Sequence, residues 1–220
     1  METQIATCVM GSGIYNEVLG FARAVYADRH SIRPSSSPEM FAYSHNGARL
    51  TGCLGLYRGS AEKNLLMETY LDFNVLEFLS EATRRDRECM GELGMRAVDA
   101  PGESSVSLSI LLSAELIRRA SELGLCYLVF TSNRTICFVA KALSIRLKKL
   151  GVPDLSRKSR QFRLDWEEFF KVQQYCWGLD VAQAIPGCAE YKQRQVATDF
   201  PIRNIVLPAR RPVSVEAVVV

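Results

Sequence analysis

Histidine is scarce in this 220-residue chain: there are only two, His30 and His45, and they lie far apart. Because histidine is the commonest ligand of zinc and non-haem iron, this scarcity argues against a metal centre of either kind. Cysteine is present seven times, but the count is odd and no C-x-x-C pair occurs. Scattered thiols inside apolar runs read as free cysteines of a reducing compartment rather than as a disulfide framework. No run approaches the roughly 20 uncharged apolar residues that span a bilayer. The opening METQIATCVMGSG lacks both the basic and the apolar regions of a secretory signal. Charge of one sign is not in excess either: 27 basic against 24 acidic residues leave a net charge of +3. No aromatic-interleaved basic stripe points to nucleic acid. These absences lead to the expectation of a cytoplasmic protein with no membrane span, no nucleic-acid partner and no metal.

What remains is an ordinary globular composition, 48% hydrophobic and 23% charged, with length enough for a sizeable core. Residues 14–27 place Ile14, Val18, Leu19, Ala22, Val25 and Tyr26 at helical spacing, and IRPSSSPEM then breaks the pattern. MFAYSHNGARLTGCLGLYRG reads as two strands joined at Asn46-Gly47, a dipeptide that tolerates the positive φ of a tight turn. KNLLMETYLD is a further strand candidate, RECMGELGMRAVDA another, and residues 74–87 are polar enough for a helix or an ordered loop. After Pro101-Gly102, a helix over 106–123 carries Leu108, Leu112, Leu116 and Ala120 four apart and stops at Gly124. LCYLVFTSN follows as a buried strand. Ile136, Val139, Ala140, Leu143, Leu147 and Leu150 then predict one helix running to Gly151. The plan is α/β (α+β), with helices flanking a mixed, mostly antiparallel sheet.

This order of elements resembles the GNAT acyltransferase fold, in which a strand splays from its neighbour and leads into a helix that receives the phosphates of an acyl carrier. The stretch RECMGELGMRAVDAPGESS fits that arrangement. Gly94 marks a bulge or a close backbone approach. Gly102, Ser104 and Ser105 would present amides and hydroxyls at the positive end of a helix dipole. A longer resemblance is to the thermostable hemolysin family. It is carried by LLMETYLD, by the Glu-Leu-Gly of RECMGELGMRA, and by LVFTSN before a helix ending in RLKKLG, and it covers roughly residues 21–159. That family in turn resembles the acyl-homoserine lactone synthases. The chain departs from the family at Met95-Arg96, where Asn-Leu is expected, and in WGLDVAQAIP, which keeps Trp177, Gly178 and Pro186 without paired tyrosines. The lactone-synthase motif Glu-x-Ser-Arg is replaced by Glu92-Leu93-Gly94-Met95, so use of S-adenosylmethionine is not implied.

The resemblance implies an enzyme that moves an acyl group from acyl-CoA or an acyl-phosphopantetheine carrier protein to an amine such as an amino acid, in small-molecule biosynthesis. Amide formation from a thioester needs a proton acceptor and donors for the developing oxyanion. Glu68 and Glu92 lie in apolar segments where desolvation would raise a carboxyl pKa towards that of a base. The competing expectation is that each pairs with an arginine such as Arg87 or Arg96 and braces the sheet. Gly94, Met95, Arg96 and Ala97 would hold the pantetheine arm. Thr131, Asn133 and Arg134, at the carboxyl end of the next strand, lie where ligands gather in α/β sheets, although helix capping is the competing role for Asn133. His30 would orient substrate or simply end its helix favourably.

Residues 1–160 are expected to form the acyltransferase-type core. Residues 161–220, aromatic in LDWEEFFKVQQYCWGLD and apolar at the tip, would extend it, complete the acceptor site or join a homodimer. Two further readings stay open: a membrane-active hemolysin, suggested by the family name alone, and a GNAT-shaped binding module without catalysis.

Overall fold

The computed structural model describes residues 3–32, 34–62, 64–71, 75, 87–99 and 102–197. Its first strand, β1 (Gln4–Val9), was not expected; only Cys8 among its six residues is buried, so it offers little hydrophobic alternation. Helix α1 (Tyr15–His30) matches the predicted stripe, burying Val18, Leu19, Ala22 and Tyr26. It ends at Ser31, whose left-handed backbone (φ +55°) turns its N–H back to the last carbonyls. Strands β2 (Met40–Asn46) and β3 (Arg49–Arg58) form the expected hairpin. Gly47 there takes φ +62°, the conformation for which Asn-Gly is suited.

The segment expected to form the next strand behaves differently. Leu66–Thr69 is a 3₁₀ turn, not a strand, because Glu68 folds back to accept the Leu65 N–H at 2.9 Å. A side chain that caps its own backbone competes with sheet pairing. The residues 74–87 of uncertain assignment lie almost wholly outside the described residues; Arg87 opens a short 3₁₀ turn that leads into β4 (Met90–Val98). Helix α2 (Gly102–Glu122) starts four residues earlier than the apolar period suggests and buries Leu108, Leu112, Leu116, Ile117 and Ala120. Strand β5 (Tyr127–Ser132) is as expected.

The long helix predicted after β5 is cut to α3 (Ile136–Ala142), followed by β6 (Lys148–Gly151). Ser144 takes φ +52°, and the Ile145 N–H reaches back to Ala140 O at 2.8 Å, a left-handed termination. Leu143 and Leu150 then enter different apolar clusters on opposite sides of the sheet, which no single helical stripe could accomplish. Serine is strained in this conformation and Ser144 is exposed. Ser144→Gly is therefore expected to raise stability by about 0.5–1 kcal/mol, read as a higher urea midpoint with an unchanged slope.

The aromatic segment after residue 160 forms two short helices, α4 (Arg160–Asp165) and α5 (Glu167–Phe170), then β7 (Tyr175–Asp180) and α6 (Val181–Ala197). β7 lies between β5 and β6, and Asp180 caps α6 by accepting the Gln183 N–H at 2.9 Å. The seven strands run β1-β2-β3-β4-β5-β7-β6, antiparallel except for β4 with β5. This is the expected mixed, mostly antiparallel sheet.

One face carries the largest apolar cluster, built by α2, α3 and α6. The other face carries two smaller clusters. One lies under α1 and includes Phe41, Met95 and Ala97; the other lies under the Leu66–Thr69 turn and includes Tyr70, Met90, Val129 and Cys176. The seam between these two clusters runs along β4. All seven cysteines are free thiols and five are buried.

Candidate active site on strand β4

β4 departs from a regular strand where Gly94 led us to expect it. Cys53 pairs with Ala97 and Gly55 with Gly94, so Leu54 alone opposes Met95 and Arg96. Two residues against one is a β-bulge. Met95 takes up the irregularity with φ +49°, uncommon for a non-glycine residue. Gly94 lies close to a neighbour: a Cβ there would stand 3.1 Å from the Tyr57 ring, which would have to give by a few tenths of an ångström. On its other side β4 pairs with β5 only from Met90 opposite Tyr127 to Leu93 opposite Phe130. Beyond Leu93 that edge of β4 has no strand partner among the described residues, and the chain soon turns into α2 at Gly102. A wedge therefore opens between the two strands, edged by backbone groups of the bulge and with the amino end of α2 close in sequence.

Glu92 sits on β4 just before the bulge. It is buried (4% exposed), and one carboxylate oxygen accepts the Met67 N–H at 3.2 Å. Burial pushes its pKa up to about 7, outweighing the backbone donors at Met67 and Leu66; the Glu68 charge adds to the rise, and Lys158 works against it. Glu68 occupies a different position from the sheet neighbour expected of it. It lies in the 3₁₀ turn, and Arg87 grips both of its oxygens, the shortest contact being 2.8 Å. That is the bracing geometry weighed as the competing role.

The remaining site residues are dispersed. Arg96 points out from the bulge, and its Nε donates to Ser109 Oγ at 2.9 Å, one turn along α2 from Ser105, whose carbonyl accepts the Ser109 hydroxyl. Ala97 is buried under α1. Gly102, Ser104 and Ser105 form the opening turn of α2. Thr131 lies beyond the last β4–β5 pair and shares hydrogen bonds with the Tyr70 hydroxyl and Cys176 Sγ. Asn133 Oδ1 instead accepts the Thr135 N–H at 2.9 Å, an Asx turn leading into α3, whose N-cap Thr135 has no side-chain cap, and the Arg134 guanidinium lies over the Tyr175 ring. His30 ends α1 and packs edge-on against Phe169; burial holds its pKa below the ordinary value.

The aromatic roof over these residues comes from the segment expected to extend the core or complete the acceptor site. Trp166 packs against Tyr26 of α1, Phe162 and Phe169, while Phe170 meets Tyr70, so α4 and α5 bridge the seam between the two smaller clusters. Beneath them lies Lys158, half-buried, with Nζ 4.7 Å from the centre of the Phe162 ring and donating to Thr69 Oγ1. Burial raises the pKa of the Tyr57 and Tyr70 hydroxyls, and the Glu92 charge raises both further. The aromatic content of 162–170 is plain in the sequence, but the rings it packs against could not be read from local sequence. Among the described residues no group of three or more metal-ligating side chains forms, and no helix is long and apolar enough to cross a membrane.

Solved structures share this GNAT-like fold. The chain is similar to the AHL synthase LasI, at 10% identity and TM-score 0.58 over 86% of this chain and 95% of that one. It is similar to the CoA-dependent acyl-homoserine lactone synthase BjaI, solved with SAM and isopentyl-CoA, at 13% identity and TM-score 0.61 over 88% and 89%. It is also similar to FeeM, an N-acyl amino acid synthase from uncultured soil microbes, at 14% identity and TM-score 0.56 over 82% and 92%. The sequence profile of the thermostable hemolysin family matches residues 11–184, and the chain belongs to that family. No curated protein matches the sequence.

Proposed function

We propose that this protein is an N-acyltransferase that moves an acyl group from a thioester, carried by CoA or by an acyl-carrier protein, to an amine. The observation that carries the reading is the buried carboxyl of Glu92, with a pKa near 7, three residues before the bulge at the mouth of the wedge. The thioester arm would lie in the wedge against the backbone of Gly94–Ala97, with its phosphate at the opening turn of α2, where helix amides favour anions. The amine would enter beneath the aromatic roof. Glu92 accepts the ammonium proton and the freed nitrogen attacks the thioester carbon. Bulge amides stabilise the oxyanion. The C–S bond then breaks as the second proton on nitrogen passes to the leaving thiolate, giving amide, free thiol and a protonated Glu92 that returns its proton to solvent. Tyr57 and Tyr70, both kept neutral by burial, would relay that proton, each accepting one and donating one without being left ionised.

The segment after residue 160 belongs to this reading as the part that completes the acceptor side, through α4 and α5. The fold supports the reading by likeness to synthases whose names include acyl transfer to amines, and the buried acid supports it chemically. The test follows thioester loss by mass spectrometry, using a panel of acyl-CoA and acyl-carrier-protein donors with and without pooled amines. Donor loss that requires an amine is the expected result. If no donor is consumed with any amine, the reading falls, and lysis of lipid vesicles becomes the next assay.

A further inference from the structure

One cation beneath the aromatic roof has no use in the steps above. Lys158 is half-buried, donates to Thr69 Oγ1, and stands over the rings of Phe162 (4.7 Å) and Tyr70 (5.7 Å). Among the described residues it makes no ion pair with a carboxylate; the acid acting on it is Glu92, through space. The neighbouring cations are committed elsewhere. Arg87 holds Glu68, Arg157 donates to the Leu71 carbonyl, and Arg134 covers Tyr175. The Leu66–Thr69 turn therefore joins a buried acid, whose oxygen takes the Met67 N–H, to an ammonium group held by Thr69 two residues further on.

We propose that the acceptor is an α-amino acid, with its carboxylate on Lys158 and its amine at Glu92. This rests on the acyl-transfer reading above and narrows its substrate class. A zwitterion matches both ends of the turn. A simple amine would leave Lys158 without its anion, and a diamine would set a second cation against it, so the same residue both attracts and excludes. The rings of Phe162 and Tyr70 limit water around the ammonium, which strengthens a charge-assisted hydrogen bond there.

The test uses the full chain and the thioester that the wild type consumes fastest. It compares two acceptor pools, protein amino acids and their decarboxylated amines, for the wild type, Lys158→Met and Lys158→Arg. The wild type is expected to prefer the amino acids. Lys158→Met should lower kcat/KM for amino acids about tenfold or more, mainly through KM, the loss expected for one hydrogen bond to a charged group. Measured at pH 9, where Glu92 is ionised with or without the Lys158 charge, it should change the decarboxylated amines far less than the amino acids, and Lys158→Arg should restore most of the preference. Equal losses for both pools, or a raised KM for the thioester, would overturn the assignment and place Lys158 on the donor. A wild type that acylates decarboxylated amines as well as amino acids overturns it too, while leaving acyl transfer standing. A wild type that acylates neither pool removes the acyl-transfer reading itself.

Discussion

Glu92→Gln is expected to lower kcat by about 10²- to 10⁴-fold, the range for loss of a positioned general base. Donor binding, read as thermal stabilisation by acyl thioester, should be retained, because glutamine keeps an oxygen for the Met67 N–H. The wild-type rate should rise with pH and level off above about 7, as the buried carboxyl loses its proton. In Glu92→Gln that limb should vanish. A rate within a few-fold of wild type, with the limb intact, would assign the base to another group.

The same carboxyl makes a second, opposite prediction. Its folded pKa of about 7 lies above the ordinary carboxyl value of 4.5, so the protonated acid is the form the fold prefers. Its contribution to stability is full below about pH 4.5 and is lost as pH rises through 7, when a charge must be buried. The amount is on the order of 3 kcal/mol at pH 8. Glu92→Gln, permanently neutral, should therefore be more stable than wild type at pH 8 and nearly equal to it at pH 4.5. Chemical denaturation at the two pH values reads the difference directly. Gain of stability with loss of turnover is what a strained functional carboxyl predicts and what a purely structural one does not.

Much of this site was legible because its signals are local. A lone glutamate in the apolar run MGELGM has few reasons to be there, and Gly94 marks the bulge to within one residue. Helices α1 and α2 follow from 3.6-residue periodicity, and the β2–β3 hairpin from Asn46-Gly47. The failures share a cause, which is that the deciding contact is distant or lies in the backbone. β1 buries one residue of six and owes its place to pairing with β2. Leu147 and Leu150 continue the α3 stripe on paper, yet Ser144 turns left-handed and Leu150 crosses to the other side of the sheet. The roof of Phe162, Trp166, Phe169 and Phe170 gains its meaning from Tyr26, His30 and Tyr70, 100 to 140 positions earlier in the chain. Lys158 is inconspicuous in LSRKSR until Thr69 and Glu92 are placed beside it. Glu68 carried the acidic, apolar-flanked signature as strongly as Glu92, but the turn it caps gives it to Arg87.

That last division of labour yields the second large effect. Arg87→Ala should cost about 3 kcal/mol, because Glu68, with its side chain 4% exposed, would keep a charge in a poorly solvated position without its counter-ion. The loss is measured by denaturant unfolding at pH 7. Adding Glu68→Gln to Arg87→Ala should recover most of it, since the neutral amide can still accept the Leu65 N–H and no longer needs a cation. Glu68→Gln alone should leave turnover close to wild type; a loss as deep as that of Glu92→Gln would instead make Glu68 the base. The brace also sets the base beside it. The Glu68 charge already raises the Glu92 pKa, and with Arg87 removed that repulsion is no longer offset. The pH limb of any surviving Arg87→Ala turnover should therefore move up from 7, and in Glu68→Gln it should move down. Opposite shifts in the two variants would tie the structural ion pair to the chemistry of Glu92, while an unmoved limb in both would separate them.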